Sequence, residues 1–143
     1  MVLQISKWLQ TIQYYFDINK NISNSLNLIF PNRLSDNSNV FNGETGVFTA
    51  PVGGRYSIGL YLQVFKGSGG YYNNLYMKRN GSTVHYIYTS GTPNNGSQFD
   101  HRYYQVEIEL NKGETAAFNM GSHSSGLSYD PDTYIEGKLV KAN

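Results

Sequence analysis

Over most of this chain apolar residues recur at alternate positions, the period of a strand with one buried face. The N-terminus departs from that rule. Ile5, Trp8, Leu9 and Ile12 fall at i, i+3, i+4 and i+7, one face of a short helix or irregular lead-in. Alternation then starts, with Ile12, Tyr14, Phe16 and Ile18 pointing one way and Gln13, Tyr15 and Asp17 the other. Asn19 to Asn27 reads as a polar turn, Leu26 to Phe30 as a short strand stopped by Pro31, and Ser35 to Asn39 as a loop. The longest strand comes next, its Tyr56, Ile58, Leu60, Leu62 and Val64 alternating with Arg55, Ser57, Gly59, Tyr61, Gln63 and Phe65. Leu75 and Met77 lie on a strand that ends at Asn80-Gly81, and Val84 to Tyr88 returns. Asn-Gly between two apolar runs is the strongest short hairpin signal, because both residues tolerate positive φ. Gly91 to Ser97 is expected to be a loop. Tyr104, Val106, Ile108 and Leu110 mark a further strand, which turns at Asn111-Lys112-Gly113 into Thr115 to Met120. Gly121 to Asp132 reads as another loop, and Ile135, Gly137 and Leu139 as the inward positions of the last strand. About ten strands at this spacing predict an all-β sandwich or barrel. The 143 residues fit one domain, with 1–18 as lead-in and first strand and 19–143 as the remainder.

Composition narrows the partners. A net charge of +1 provides no field to gather nucleic acid or anionic lipid. There is no cysteine, and no apolar run is long enough for a membrane-spanning helix. Nothing near the N-terminus reads as a secretory signal, so the expectation is a protein made without one. Sixteen asparagines, fifteen glycines and thirteen tyrosines give a neutral, polar, aromatic surface suited to sugar or protein contacts.

One spacing stands out: Phe30, Asp36, Phe41, Phe48, Gly54 and Tyr56, with the string GVFTAPVGGRYSI running from Gly46 to Ile58. It resembles the signature of the C1q globular head, a jelly-roll family akin to tumour necrosis factor. The closing Ile135-Glu136-Gly137-Lys138-Leu139 is similar to that family's last strand, and the turns at Lys78 to Gly81 and Leu110 to Gly113 match in place. The likeness covers roughly residues 26 to 140. Ile58 and Ile135 stand where the family usually has aromatics, so aliphatic packing replaces part of the expected core. The resemblance implies a ten-stranded jelly-roll sandwich that assembles as a homotrimer around one sheet. No Gly-X-Y stretch is present, which leaves assembly to the heads or to the lead-in.

Faces opposite the core then become candidate contacts. Tyr61, Gln63 and Phe65 on the long strand, Tyr134, Glu136 and Lys138 on the last, and Tyr14 on the first are assigned to the trimer interface. Glu136 and Lys138 are expected to pair between subunits. Tyr71, Tyr72, Asn94, Asn95, Gln98, His123 and Tyr129 lie in predicted loops and combine aromatic platforms with amide donors, as glycan or protein contacts require. Ile5, Trp8 and Leu9 are assigned to docking on a larger assembly.

The chemistry of catalysis is thin. His85, His101 and His123 lack metal-ligand spacing; Asp100-His101 and the serines at 122, 124 and 125 lack a nucleophile elbow. Gly67 to Gly70 lacks the Lys-Ser/Thr and helix of a phosphate cradle. Asp130 and Asp132 offer two oxygen ligands for calcium, which some relatives hold near the trimer apex, but no other cofactor is expected. The reading is a non-enzymatic homotrimer on a virion or particle surface, as a fibre head or decoration protein. It would contact other virion proteins and host glycan or protein. The alternative is a microbial spore, cell-surface or secreted recognition module, and a hydrolase is the third class.

Overall fold

Alternation divides the chain between two layers. The computed structural model describes residues 12–15, 27–36, 39–66, 69–92 and 99–143. No helix occurs among them; they form β1 (Ile12–Tyr15), β2 (Asn32–Ser35), β3 (Phe41–Asn42), β4 (Val47–Thr49), β5 (Gly54–Lys66), β6 (Tyr71–Arg79), β7 (Ser82–Gly91), β8 (Phe99–Leu110), β9 (Thr115–His123), β10 (Leu127–Tyr129) and β11 (Tyr134–Ala142). One sheet runs β8, β5, β11, β1, β2, with β10 continuing the line of β11 against the far end of β5. The other runs β3, β4, β9, β6, β7, and every pairing is antiparallel. The chain changes layer at most of its connections, the Greek-key habit of a jelly roll.

Each sheet contributes one apolar face to the space between them. Leu60, Leu62 and Val64 from β5 meet Leu75 and Met77 from β6 and Phe118 and Met120 from β9, all essentially inaccessible to solvent. Burial of side chains of this size is worth roughly 1.5–3 kcal/mol each. At the β6–β7 hairpin Asn80 and Gly81 adopt φ of 49° and 83°, the paired left-handed conformation a tight two-residue turn requires.

The six residues of the signature spacing are structural. Phe30, Phe41, Phe48 and Tyr56 are buried, with Phe48 and Tyr56 edge to face at 5.1 Å. The Tyr56 hydroxyl donates to the Val52 carbonyl at 2.6 Å, closing the corner before β5. A Cβ on Gly54 would lie 2.4 Å from the Lys141 carbonyl oxygen, so no side chain fits beside β11. Asp36, 1% exposed, accepts from the Tyr14 hydroxyl at 2.7 Å and from the amides of Phe41 and Val40 at 3.1 and 3.3 Å.

Three sequence expectations change. Residues 28–30 are irregular rather than a strand: Asn27 makes a single bridge to Asn119, and Leu28 and Phe30 donate to Phe118 and Gly43. The strand comes after Pro31, as β2. It is a sheet-edge segment with no buried side chain, and therefore has no apolar alternation to read. Gly121 to Asp132 is not one loop, because β9 extends to His123 and β10 adds three paired residues.

Candidate interaction face

The outer face of the six-stranded sheet is built by parity. With Tyr56, Ile58, Leu60, Leu62 and Val64 inward, β5 sends Tyr61, Gln63 and Phe65 outward, and all three are half-buried. Register then aligns tyrosines on four neighbouring strands: Tyr15 opposes Tyr134, Tyr134 opposes Tyr61, and Tyr61 opposes Tyr103. Tyr61 and Tyr134 stack at 5.2 Å, and Tyr15 meets Tyr134 edge-on at 5.6 Å. His101, one step along β8, lies nearly parallel to Tyr61 at 6.0 Å, its Nδ1 hydrogen-bonded to the Tyr61 hydroxyl at 2.6 Å. The result is an aromatic band crossing the sheet.

Beside the band the floor drops. Gly59 leaves room for the Tyr103 hydroxyl to pass over it and donate to Glu136 at 2.6 Å; a Cβ there would lie 2.4 Å from that oxygen. The hollow of about 220 Å³ is bounded by Ser57, Gly59, Tyr103, Gln105, Glu136 and Lys138. The hydrogen bond to Glu136, with burial and the charge of Glu136 adding to it, pushes the Tyr103 hydroxyl up to about 12. Tyr134 is raised chiefly by burial. These phenols stay neutral through the physiological range and can face another surface without carrying a charge into it.

Tyr14 was assigned to this face and does not belong to it. It is buried, with its ring 4.7 Å from Phe41 and its hydroxyl on Asp36, because it shares the inward parity of Ile12; the outward residue of that pair is Tyr15. Tyr15 and Tyr103 were both missed by sequence reasoning, although the alternation of their neighbours points them outward. Glu136 accepts from Tyr103 within the chain, while Lys138 is exposed.

The loop set separates. Tyr71 and Tyr129 are buried strand residues, not loop contacts: Tyr71 donates to Asp100 at 2.6 Å and Tyr129 to Asn73 at 2.7 Å. Burial raises both phenols, while the Asp100 carboxyl is lowered, the Tyr71 hydrogen bond and the Arg102 charge outweighing the opposing effect of burial. Tyr72 is exposed at one end of the second sheet, where its amide donates to the Ser124 hydroxyl. His123 is half-buried there, and its Nδ1–H donates to the Ser124 carbonyl at 2.9 Å. Asn94, Asn95, Gln98, Ile5, Trp8 and Leu9 lie outside the described residues.

Asp130 closes its own turn, its carboxylate accepting from the Asp132 amide at 3.1 Å and its carbonyl from the Thr133 amide at 2.9 Å. Among the described residues no group of three His, Asp or Glu side chains is placed to hold a metal ion.

No protein-family model and no curated protein sequence matches the chain. Among solved structures it is similar to the globular domain of zebrafish complement 1qA protein, with a TM-score of 0.70 and 17% identity over 93% of this chain and 98% of that one. At that identity the likeness speaks to architecture alone. The chain has the C1q-like jelly-roll fold.

Proposed function

We propose that this chain is a non-enzymatic binding module that works as a homotrimer, three copies packing through the outer face of the six-stranded sheet. The observation that carries the reading is the band of Tyr15, Tyr134, Tyr61 and Tyr103 beside the Gly59 hollow. Contiguous aromatic surface on one sheet face is the signature of an interaction site. C1q-like heads are recognition modules that commonly trimerise, which supports the same choice.

In such a trimer we put Glu136 of one copy opposite Lys138 of another; both stand on the outward side of β11. The setting we put forward is the surface of a virion or fibre, with Ile5, Trp8 and Leu9 docking the head; its support is the neutral Asn- and Tyr-rich composition alone. Immunogold labelling of purified particles tests that setting. The assembly is tested by light scattering of the wild-type chain and of Tyr61→Glu. The variant would carry three carboxylates into the packed aromatic band of the trimer and should run as single chains with an unchanged far-ultraviolet spectrum. A Tyr61→Glu protein that stays trimeric would show that this face is not the interface.

A further inference from the structure

The two sheets present opposite outer faces, and the second carries its own aromatic surface, unrelated to the band above. On β6 and β7 the outward residues include Tyr72, Asn74, Tyr76, Tyr86 and Tyr88. Tyr86 and Tyr88 are 57% and 56% exposed, more than any other tyrosine among the described residues. Two positions apart on one strand, they stand roughly 6.6 Å from each other along it. Tyr76 packs against Tyr86 at 5.2 Å and lies over Gly121 of β9, where a Cβ would come within 2.5 Å of its ring. Gly121 thus lets the Tyr76 ring settle onto the sheet, with the Tyr86 ring tilted 54° to it, as part of one aromatic platform.

A polar relay crosses the platform. The Tyr86 hydroxyl donates to Asn74 Oδ1 at 2.8 Å, and Asn74 Nδ2 donates to the Ser122 hydroxyl at 2.6 Å, linking three strands. An amide has four hydrogen-bonding positions and these bonds use two, while the Ser122 hydroxyl is left to donate. The surface continues into a hollow of about 440 Å³ bounded in part by Asn27, Lys78, Asn119, Val47 and Ala117. Lys78 sits with its ammonium 5.5 Å from the centre of the Tyr76 ring.

We infer that this face binds a neutral oligosaccharide, with Tyr86 and Tyr88 stacking on the C–H faces of successive pyranose units and Asn74 and Ser122 engaging their hydroxyls. The chemistry selects that occupant. The electron-rich faces of tyrosine attract the weakly positive C–H edges of a sugar ring, and paired amide donors and acceptors match vicinal hydroxyls. Nucleic acid would need a cationic groove, and Lys78 is the one charged residue named on the platform or its hollow. The large exposed apolar residues on β6 and β7 are tyrosines apart from Val84, and the Asn74–Ser122 relay beside them offers what the hydroxyls of a sugar engage.

This inference rests on the binding-module reading and deepens it. If three copies join through the six-stranded sheets, the three platforms face outward, and a surface bearing many glycans is held far more tightly than a free oligosaccharide.

The test is titration of the full chain with hexamers of β-linked glucose, N-acetylglucosamine and mannose, and with a heparin hexasaccharide as the anionic comparison. We expect at least one neutral hexamer to bind, with an affinity unchanged between about 50 mM and about 500 mM salt. Tyr86→Ala and Tyr88→Ala should each weaken it at least about tenfold; Leu34→Ala, on the other sheet, should not, and all three should keep the wild-type far-ultraviolet spectrum. Tyr61→Glu separates the two readings: it should leave the hexamer affinity intact while reducing retention on a glycan-coated surface. Failure of all three neutral hexamers, binding of heparin alone, or binding that survives loss of both tyrosines would overturn the assignment. So would tyrosine-dependent association of trimers with one another, which would make a second copy the occupant.

Discussion

Asp36 offers the sharpest test of why the signature spacing produces this fold. Its carboxylate is buried and tied to the Tyr14 hydroxyl at 2.7 Å and the Phe41 amide at 3.1 Å, with the Val40 amide at 3.3 Å as a longer third contact. Asp36→Ala strands those donors. Hydrogen bonds to a charged group are worth roughly 1.5–3 kcal/mol each. Tyr14 keeps a partial alternative, since its hydroxyl also donates to the Phe41 carbonyl at 3.1 Å. Removing the charge also relieves its desolvation cost. The balance is a loss of about 3–4 kcal/mol, a large share of the roughly 5–15 kcal/mol a domain possesses. Asp36→Asn retains an acceptor oxygen and should lose about half as much, and Tyr14→Phe about 1–2 kcal/mol. Because the two side chains share a bond, the double variant should fall short of the sum of the singles by about 1 kcal/mol or more. Urea unfolding at constant m-value measures all four. A loss below about 1 kcal/mol for Asp36→Ala, or full additivity with Tyr14→Phe, would refute the claim that this carboxylate organises the segment before β3.

Alkali should unfold the protein abruptly. Tyr14, Tyr71 and Tyr129 all hold their protons above the ordinary phenol range, chiefly through burial, so above about pH 10 the unfolded chain binds fewer protons and stability falls by about 1.4 kcal/mol per group per pH unit. Phenolate absorbance and far-ultraviolet signal should therefore change together; smooth ionisation of all thirteen tyrosines near pH 10 with the fold intact would contradict the burial assigned to these three. Gly54→Ala should cost about 1–3 kcal/mol, because its Cβ meets the Lys141 backbone. Gly59→Ala should be milder in the isolated chain, since the exposed Tyr103 side chain can swing aside, but it should reduce the Tyr103 pKa by breaking the contact with Glu136; a spectrophotometric difference titration against Tyr103→Phe reads that directly.

Much of the fold was legible wherever one face of a strand is buried and the other wet. The alternation on β5 gave both its core and its outward set, and Asn80-Gly81 gave the hairpin. β2 was illegible because Asn32, Arg33 and Leu34 bury nothing. The aromatic band was half legible. Parity located Tyr61 and Tyr134, but it equally required Tyr15 in place of Tyr14, and Tyr103 opposite the inward series that starts at Tyr104. Tyr71 and Tyr129 looked like loop residues because glycine and serine surround them. Their burial depends on partners far away in sequence, Asp100 and Asn73, which no local pattern announces. The platform of Tyr76, Tyr86 and Tyr88 was hidden for a related reason: a strand pattern does not reveal which neighbour will lie beside it, and the register that brings Asn74 and Ser122 together is a property of the sheet.

We propose that the outer face of the six-stranded sheet joins three copies, and sedimentation equilibrium of the wild-type chain over a wide concentration series decides it. The predicted result is a single species at three times the 16.1 kDa of one chain, persisting on dilution. A mass of one chain at every concentration would contradict it.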